Sequence, residues 1–185
     1  MLELNDVLLS GAKSTLSLMA CDGELTCLTR PGAPLGSTAV RWLHAMMGLE
    51  PTTGGFISID GEPLTASSAR SMRRLMAFVP AELGDVGQVV VFSAPTADDV
   101  FRLKANRNGK PEQMEQEMAL TGATGQKAQL LAVASLLRRP IWLVDRPVAS
   151  SIPFLRRKAD EGCTVVIASN DNAVVSKADN VVEIE

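Results

Sequence analysis

Gly48-Leu49-Glu50-Pro51-Thr52-Thr53-Gly54-Gly55-Phe56-Ile57-Ser58-Ile59-Asp60-Gly61-Glu62-Pro63-Leu64 decides how the rest of the chain is read. Gly48 suits the stop of a preceding helix, because glycine adopts the left-handed conformation that ends one. Phe56–Ile59 reads as a strand, and Asp60-Gly61 as the turn that closes it. Upstream, Ser37–Gly48 has helical spacing, with Trp42, Leu43, Met46 and Met47 on its apolar face and Ser37 or Thr38 suited to its start. Before it runs a Gly/Pro-rich stretch, Arg30-Pro31-Gly32-Ala33-Pro34-Leu35-Gly36. Earlier still, Leu2–Leu9, Ser14–Met19 and Glu24–Thr29 read as strands, the last entered through the Asp22-Gly23 turn.

Downstream the pattern changes. Ser67–Arg74 reads as a short basic helix, and Met76–Val79 as a buried strand ended by Pro80. Val89–Phe92 is an apolar strand, Thr96–Ala105 a helix, Asn106–Gly109 a loop, and Pro111–Ala119 a helix with proline at its first position. Gln126–Arg138 is a helix with Leu130, Leu131, Val133, Ala134, Leu136 and Leu137 inside. Ile141–Val144 is continuously apolar, as a strand covered on both faces is. A helix at Phe154–Glu161, a strand at Thr164–Ser169, a helix at Asn172–Lys177 and a strand at Val181–Ile184 follow. Strands alternating with helices imply parallel βαβ units, and the hairpin-like first third implies an antiparallel sheet beside them.

Composition excludes several classes. Apolar residues make up 46% and charged residues 21% of 185 residues, a balance that builds a core. The net charge of -3 gives no basic footprint for nucleic acid. No apolar run approaches the roughly 20 residues of a spanning helix, and the acidic, alternating N-terminus is unlike a signal peptide. Cys21, Cys27 and Cys163 are odd in number and lack metal-ligand spacing, which predicts reduced thiols in a cytoplasmic setting. His44 is the one histidine, and it has no catalytic partner in sight.

Strand, glycine-rich loop, Ser37-Thr38 and helix form the layout of a phosphate-binding loop. Backbone N–H groups and a helix N-terminus point at the anion there. Beyond that loop, order and spacing carry a resemblance over essentially the whole chain. Gly48–Leu64 resembles the G-L-x-x-P-T-x-G run of ABC transporter ATP-binding domains, and Arg73–Pro80 their approach to the Q-loop. Thr96–Val100 resembles the start of a helix in that family, and Gly125–Pro140 the end of its signature motif with the following helix. Ile141–Pro147 resembles the Walker B strand, Thr164–Asp171 the strand of the switch histidine, and Asp179–Ile184 the strand after it. The resemblance implies an α/β, P-loop NTPase core with a parallel sheet flanked by helices. It adds an N-terminal antiparallel β subdomain and a reduced helical subdomain at about 81–125, all within one domain, 1–185.

The departures from the family decide the functional expectation. Gly36 stands at the Walker A lysine, Arg146 at the catalytic glutamate, Asn170 at the switch histidine and Ala81, beside Glu82, at the Q-loop glutamine. Ala123-Thr124-Gly125-Gln126 replaces the signature Ser-Gly-Gly-Gln, and Pro34 removes one loop donor. No adenine-stacking aromatic lies in Leu8–Ser14, and the loop Ala149-Ser150-Ser151-Ile152 lacks its closing Asp, which argues against an ATP-sandwich dimer. Arginine cannot accept a proton at neutral pH, so no catalytic residue is assigned. Gly32, Gly36, Ser37, Thr38, Gly125 and Gln126 remain as a vestigial nucleotide set, and Ser37 with Asp145 as a vestigial Mg²⁺ set. These allow at most weak Mg-ATP or Mg-ADP binding. In the bland alternative Ser37 caps a helix, and Asp145 ends a buried strand paired with Arg146 or a backbone donor.

Arg30, Arg146 and Arg73-Arg74 read as solvated or salt-bridged surface arginines, with positive charge near the phosphate site as the alternative, and Arg138-Arg139 read as charge at a helix C-terminus. The expected function is a catalytically degenerate, non-hydrolysing subunit or regulator. Its partner would be a protein, an ABC permease or an active ATPase subunit, with no nucleic acid and no direct membrane insertion. It would lie in the cytoplasm, peripheral to the inner membrane face through a permease. The alternatives are an ATP-binding subunit working with an active partner, and a non-transport scaffold or small-ligand binder.

Overall fold

A computed structural model describes residues 1–82 and 111–185. Two sheets organise them. The antiparallel sheet has the order β2-β1-β4-β5, from β1 (Leu2–Leu9), β2 (Leu16–Ala20), β4 (Thr52–Ile59) and β5 (Glu62–Pro63). The parallel sheet has the order β6-β7-β8-β3-β9, from β3 (Leu25–Thr29), β6 (Met76–Val79), β7 (Ile141–Asp145), β8 (Thr164–Ala168) and β9 (Asn180–Glu183). The expected strand at Val89–Phe92, helix at Thr96–Ala105 and loop at Asn106–Gly109 lie outside the described residues.

Every residue of β3, β7 and β8 is buried, which is why their sequences read as unbroken apolar runs. Period-two alternation then splits them between two cores. Leu28, Leu143 and Val166 face α1 (Gly36–Met46), which packs Trp42, Leu43 and Met46 between them and the antiparallel sheet. Cys27, Trp142, Val144, Val165 and Ile167 face the other way. Leu131 and Ala134 of α4 (Gly125–Leu136) and Phe154 and Leu155 of α5 (Ile152–Asp160) cover them. The remaining helices are α2 (Ala69–Met72), α3 (Pro111–Leu120) and α6 (Asn172–Val175).

Several expectations are corrected. The first helix begins at Gly36, not at a hydroxyl cap; its N-cap is Leu35 and no side chain caps it. Gly36 takes φ +51, so the turn into the helix comes from glycine's freedom rather than from Ser37 or Thr38. The C-terminal expectation holds. Gly48, at φ +65, donates to Ala45 O at 2.9 Å and Leu49 to His44 O at 2.9 Å, a Schellman end.

β4 also begins four residues before Phe56, at Thr52, and carries Gly54 and Gly55 inside it. β1 bulges around Asp6, whose φ is +46, and a Cβ on Gly55 would overlap the Asp6 carbonyl. The basic helix expected over Ser67–Arg74 is a single turn of α-helix followed by a 3₁₀ turn, Arg73–Leu75.

Candidate functional site

Parallel strands bring their C-terminal ends to one edge, and the crevice outside that edge is where α/β sheets bind ligands. Here it gathers Thr29 at the end of β3 and Arg30 after it, Asp145-Arg146 at the end of β7 and Ser169-Asn170 after β8. β7 and β8 are in register to Asp145 opposite Ala168, and Arg146 N–H donates to Ala168 O at 2.9 Å. Of the residues named from sequence, Asp145, Arg146 and Asn170 are therefore brought to the loop that holds Gly32 and leads into Gly36, Ser37 and Thr38.

Asn170 closes that loop. Its Oδ1 accepts from Arg30 N–H at 2.8 Å and from Thr29 Oγ1 at 3.1 Å. Its Nδ2 donates to Arg30 O at 3.0 Å and to Ala33 O at 2.7 Å. Arg30 Nη1 adds a bond to Pro34 O at 3.3 Å. Three loop carbonyls thus face donors of the chain itself. A phosphate cradle needs the opposite polarity, with N–H groups converging on an anion. On the β9 side of the loop lies a cavity of about 410 Å³, lined by Arg30, Gly32, Asn170, Val181 and Glu183 among others. Glu183 brings negative charge to it.

The β7 end is organised around two cations. Asp145 is fully buried, and its Oδ2 accepts from Arg146 Nε at 3.3 Å. This is the pairing anticipated for a buried strand end. Arg146 has φ +46, a conformation that glycine adopts without penalty and arginine does not. Lys127 reaches in from the first turn of α4, and its Nζ donates to Asp145 O at 2.6 Å and to Pro80 O at 2.8 Å. The ammonium ties the helix that starts at Gly125 and Gln126 to the ends of β6 and β7. Gly125 takes φ +56 at the head of that helix, and Gln126 is exposed. Ala81, half-buried, follows Pro80 directly.

Lys127 was not singled out from the sequence. A signal existed: a cation in the first turn of a helix opposes the helix dipole, so it needs another reason to be there. Nor did the loss of the switch histidine reveal that an amide, both donor and acceptor, would suit loop closure.

Two pairs of arginines lie away from the loop. Arg73 Nη1 donates to Met47 O at 3.1 Å, at the C-terminal end of α1. That is a helix length, roughly 16 Å, from the loop, so Arg73-Arg74 bring no charge to the phosphate position. α4 ends at Leu136 with Leu137 as its cap, two residues before the expected Arg138, so Arg138-Arg139 directly follow the C-terminal end of the helix.

The three cysteines are free. Burial pushes the Cys27 thiol up to about 11, outweighing a lowering contribution from the Ser169 backbone, so it is an inert core group. Among the described residues no cluster of three or more His, Cys, Asp or Glu is placed to hold a metal ion. No helix among them is long and apolar enough to cross a membrane.

Comparison with solved structures places this geometry in a known fold. The dimeric bacterial ABC transporter cassette MJ0796 superposes with TM-score 0.74 at 16% identity, over 100% of this chain and 94% of that one. An ATP-binding subunit of an ABC transporter gives TM-score 0.73 at 19%, covering 100% and 86%. The cbiO1 protein of Clostridium perfringens, part of the ABC transporter complex cbiONQ, gives 0.72 at 19%, covering 100% and 84%. No family model and no curated protein matches the chain. The chain therefore has the fold of ABC transporter ATP-binding cassettes, and the expected layout of a parallel core with an antiparallel sheet is present.

Proposed function

We propose that this ABC-cassette-like chain is a non-hydrolysing member of its fold, acting as a subunit or regulator through a protein partner. The observation that carries the reading is the Asn170 staple. The group at the switch position is committed to Thr29, Arg30 and Ala33 of the loop.

Mg-nucleotide does not fit the residues present. The carboxylate expected to hold Mg²⁺, Asp145, is engaged by Arg146, and Lys127 already supplies an ammonium to the neighbouring carbonyls. Gly36 offers no side chain to the outer phosphates, and the loop turns carbonyls inward. Lysine, glutamate, histidine and glutamine at such positions typically each supply factors of about 10² or more. With all four replaced, no step of hydrolysis has a residue to perform it.

On this reading the chain is one domain, its helical part within about 81–125. It would sit in the cytoplasm at the inner membrane face. The cbiO1 protein is part of a transporter complex, and a permease or an active ATPase subunit is the corresponding kind of partner here.

Calorimetric titration with Mg-ATP and Mg-ADP tests the reading. The expected result is no binding tighter than about 100 μM, equivalent to roughly 5.5 kcal/mol, and no turnover. Mg²⁺-dependent turnover that disappears in Asp145→Asn would overturn it. Tight nucleotide binding without turnover would favour a nucleotide-binding subunit that works beside an active one.

A further inference from the structure

Val79 and Val144 lie opposite each other in register on the adjacent parallel strands β6 and β7. The residues that come next, Pro80 after β6 and Asp145 at the end of β7, therefore leave the sheet side by side. Their carbonyl oxygens converge on one atom, Lys127 Nζ, at 2.8 Å and 2.6 Å. Carbonyl oxygens gathered in this way are a donor set for a hard cation, and here the cation is part of the chain. Bonds from an ammonium are charge-assisted, roughly twice as strong as neutral ones.

Three observations give this contact a role beyond local bonding. First, Lys127 is half-buried, and a charge drawn out of water needs partners. Secondly, it is the third residue of α4, where positive charge opposes the helix dipole, so the two carbonyls offset an unfavourable placement. Thirdly, a second attachment lies close by in sequence. Gly122, at φ +69 between α3 and α4, approaches the loop after β7 so closely that a Cβ would overlap Ser150 O. Thr121 beside it is fully buried; its Oγ1 donates to Met118 O at 2.8 Å and accepts from Ala123 N–H at 3.2 Å.

The two helices move as one piece. α3 and α4 pack on each other through Met114 and Ala132, with Met118, Val133 and Leu136 around them. Whatever holds the head of α4 therefore holds both.

We infer that the ends of β6 and β7 form a cation site permanently filled by Lys127, and that this tethered ammonium holds the α3–α4 pair on the parallel sheet without any bound ligand. The class of ligand the site takes is a primary ammonium. The inference rests on the non-hydrolysing reading, which it deepens: the site carries its own cation, and a partner meets the α3–α4 surface already in place.

Lys127→Ala empties the site in the whole protein. Methylammonium chloride is the probe; tetramethylammonium chloride, equal in charge but without an N–H, is the control. In urea unfolding Lys127→Ala should have a lower midpoint than wild type. Methylammonium should restore about half of that loss or more, saturably, as a ligand of the folded state does, and tetramethylammonium should restore none. Wild type should respond to neither. Lys127→Met fills the site with an apolar stem, so it should lose stability and gain nothing from methylammonium.

Backbone amide relaxation dispersion locates the effect. Residues 113–136 should show millisecond exchange in Lys127→Ala, because the undocked population rises about tenfold or more when a charged hydrogen bond is lost. Methylammonium should suppress it, and β3 and β8 should stay silent. Should Lys127→Ala not fold, Lys127→Met carries the dispersion measurement. An unchanged midpoint, equal restoration by both salts, no restoration by methylammonium, or exchange spread over β3 and β8 would overturn the inference. Turnover of Mg-ATP by wild type would instead sink the non-hydrolysing reading, and it is read in a separate titration.

Discussion

Asn170 Nδ2 donates to the main-chain oxygen of Ala33 at 2.7 Å, tying the end of β8 to the loop that enters α1. With its bonds to Arg30 and Thr29, this one amide makes four of the contacts that set the loop's shape. The loop is thus a finished piece of structure, with the carbonyls of Arg30, Ala33 and Pro34 already paired.

Asn170→Ala should remove this support and free the loop. A hydrogen bond contributes about 1 kcal/mol net, and these are near the surface, so an overall loss of about 2 kcal/mol is expected in urea unfolding. Amide exchange at residues 30–35 should accelerate, with β7 unaffected. Unchanged exchange there would mean that the loop holds its shape without the amide.

Lys127→Met keeps the aliphatic stem and deletes the ammonium. Pro80 O and Asp145 O would lose their shared donor. A destabilisation of about 2–3 kcal/mol is expected, measured by chemical denaturation beside an exposed control such as Lys177→Met, which should change stability by less than about 0.5 kcal/mol.

Gly55→Ala and Gly11→Ala should differ sharply, although both glycines have positive φ. A Cβ at Gly11 meets open space, so only the backbone penalty of about 1 kcal/mol applies. A Cβ at Gly55 would overlap the Asp6 carbonyl across the sheet, and a loss of about 3 kcal/mol or more is expected. Thermal midpoints of the two variants, compared directly, check this.

Asp179→Asn should flatten the acid limb of the stability profile. The Arg156 guanidinium, bonded to Asp179 Oδ2 at 2.6 Å, holds this carboxyl below its ordinary value, with help from Leu25 N–H at 2.7 Å and against partial burial. The stabilisation is complete above the unfolded value of about 3.9 and fades as pH falls through the lower folded value. Wild type should lose this increment on acidification below about pH 4, and the variant should lack it throughout. Both groups are partly exposed, so about 1 kcal/mol at neutral pH is expected.

Local patterns made most of the framework legible. The apolar runs Ile141–Val144 and Thr164–Ser169 could only be covered strands, and they are β7 and β8. Met76–Val79 matches β6 at both ends. Errors arose where distant parts of the chain decide. Gly54 and Gly55 look like a loop until the bulge at Asp6 is set against them. Ser37 and Thr38 look like caps because glycine's positive φ at Gly36 cannot be read from its neighbours.

The candidate site was half legible. The positions of Asp145, Arg146 and Asn170 followed from strand ends, but their bonding did not. Arg73 could have been placed correctly. A residue before one parallel strand lies at the opposite edge from a residue after another, which excludes it from the loop. Lys127 needed a contact between α4 and the end of β7, and no local pattern encodes that.

The strand order has a kinetic consequence. β3 lies between β8 and β9, with Leu25 opposite Val165 and Thr26 opposite Asn180. Both neighbours are made long after β3 itself. At ordinary translation speeds this apolar strand waits on the order of 10 s for its partners. Pairings that distant also slow folding once the partners arrive. The nascent chain therefore carries an unpaired, aggregation-prone edge through most of its synthesis. Its yield in a cell should depend on chaperone supply and on growth temperature more than its equilibrium stability would indicate.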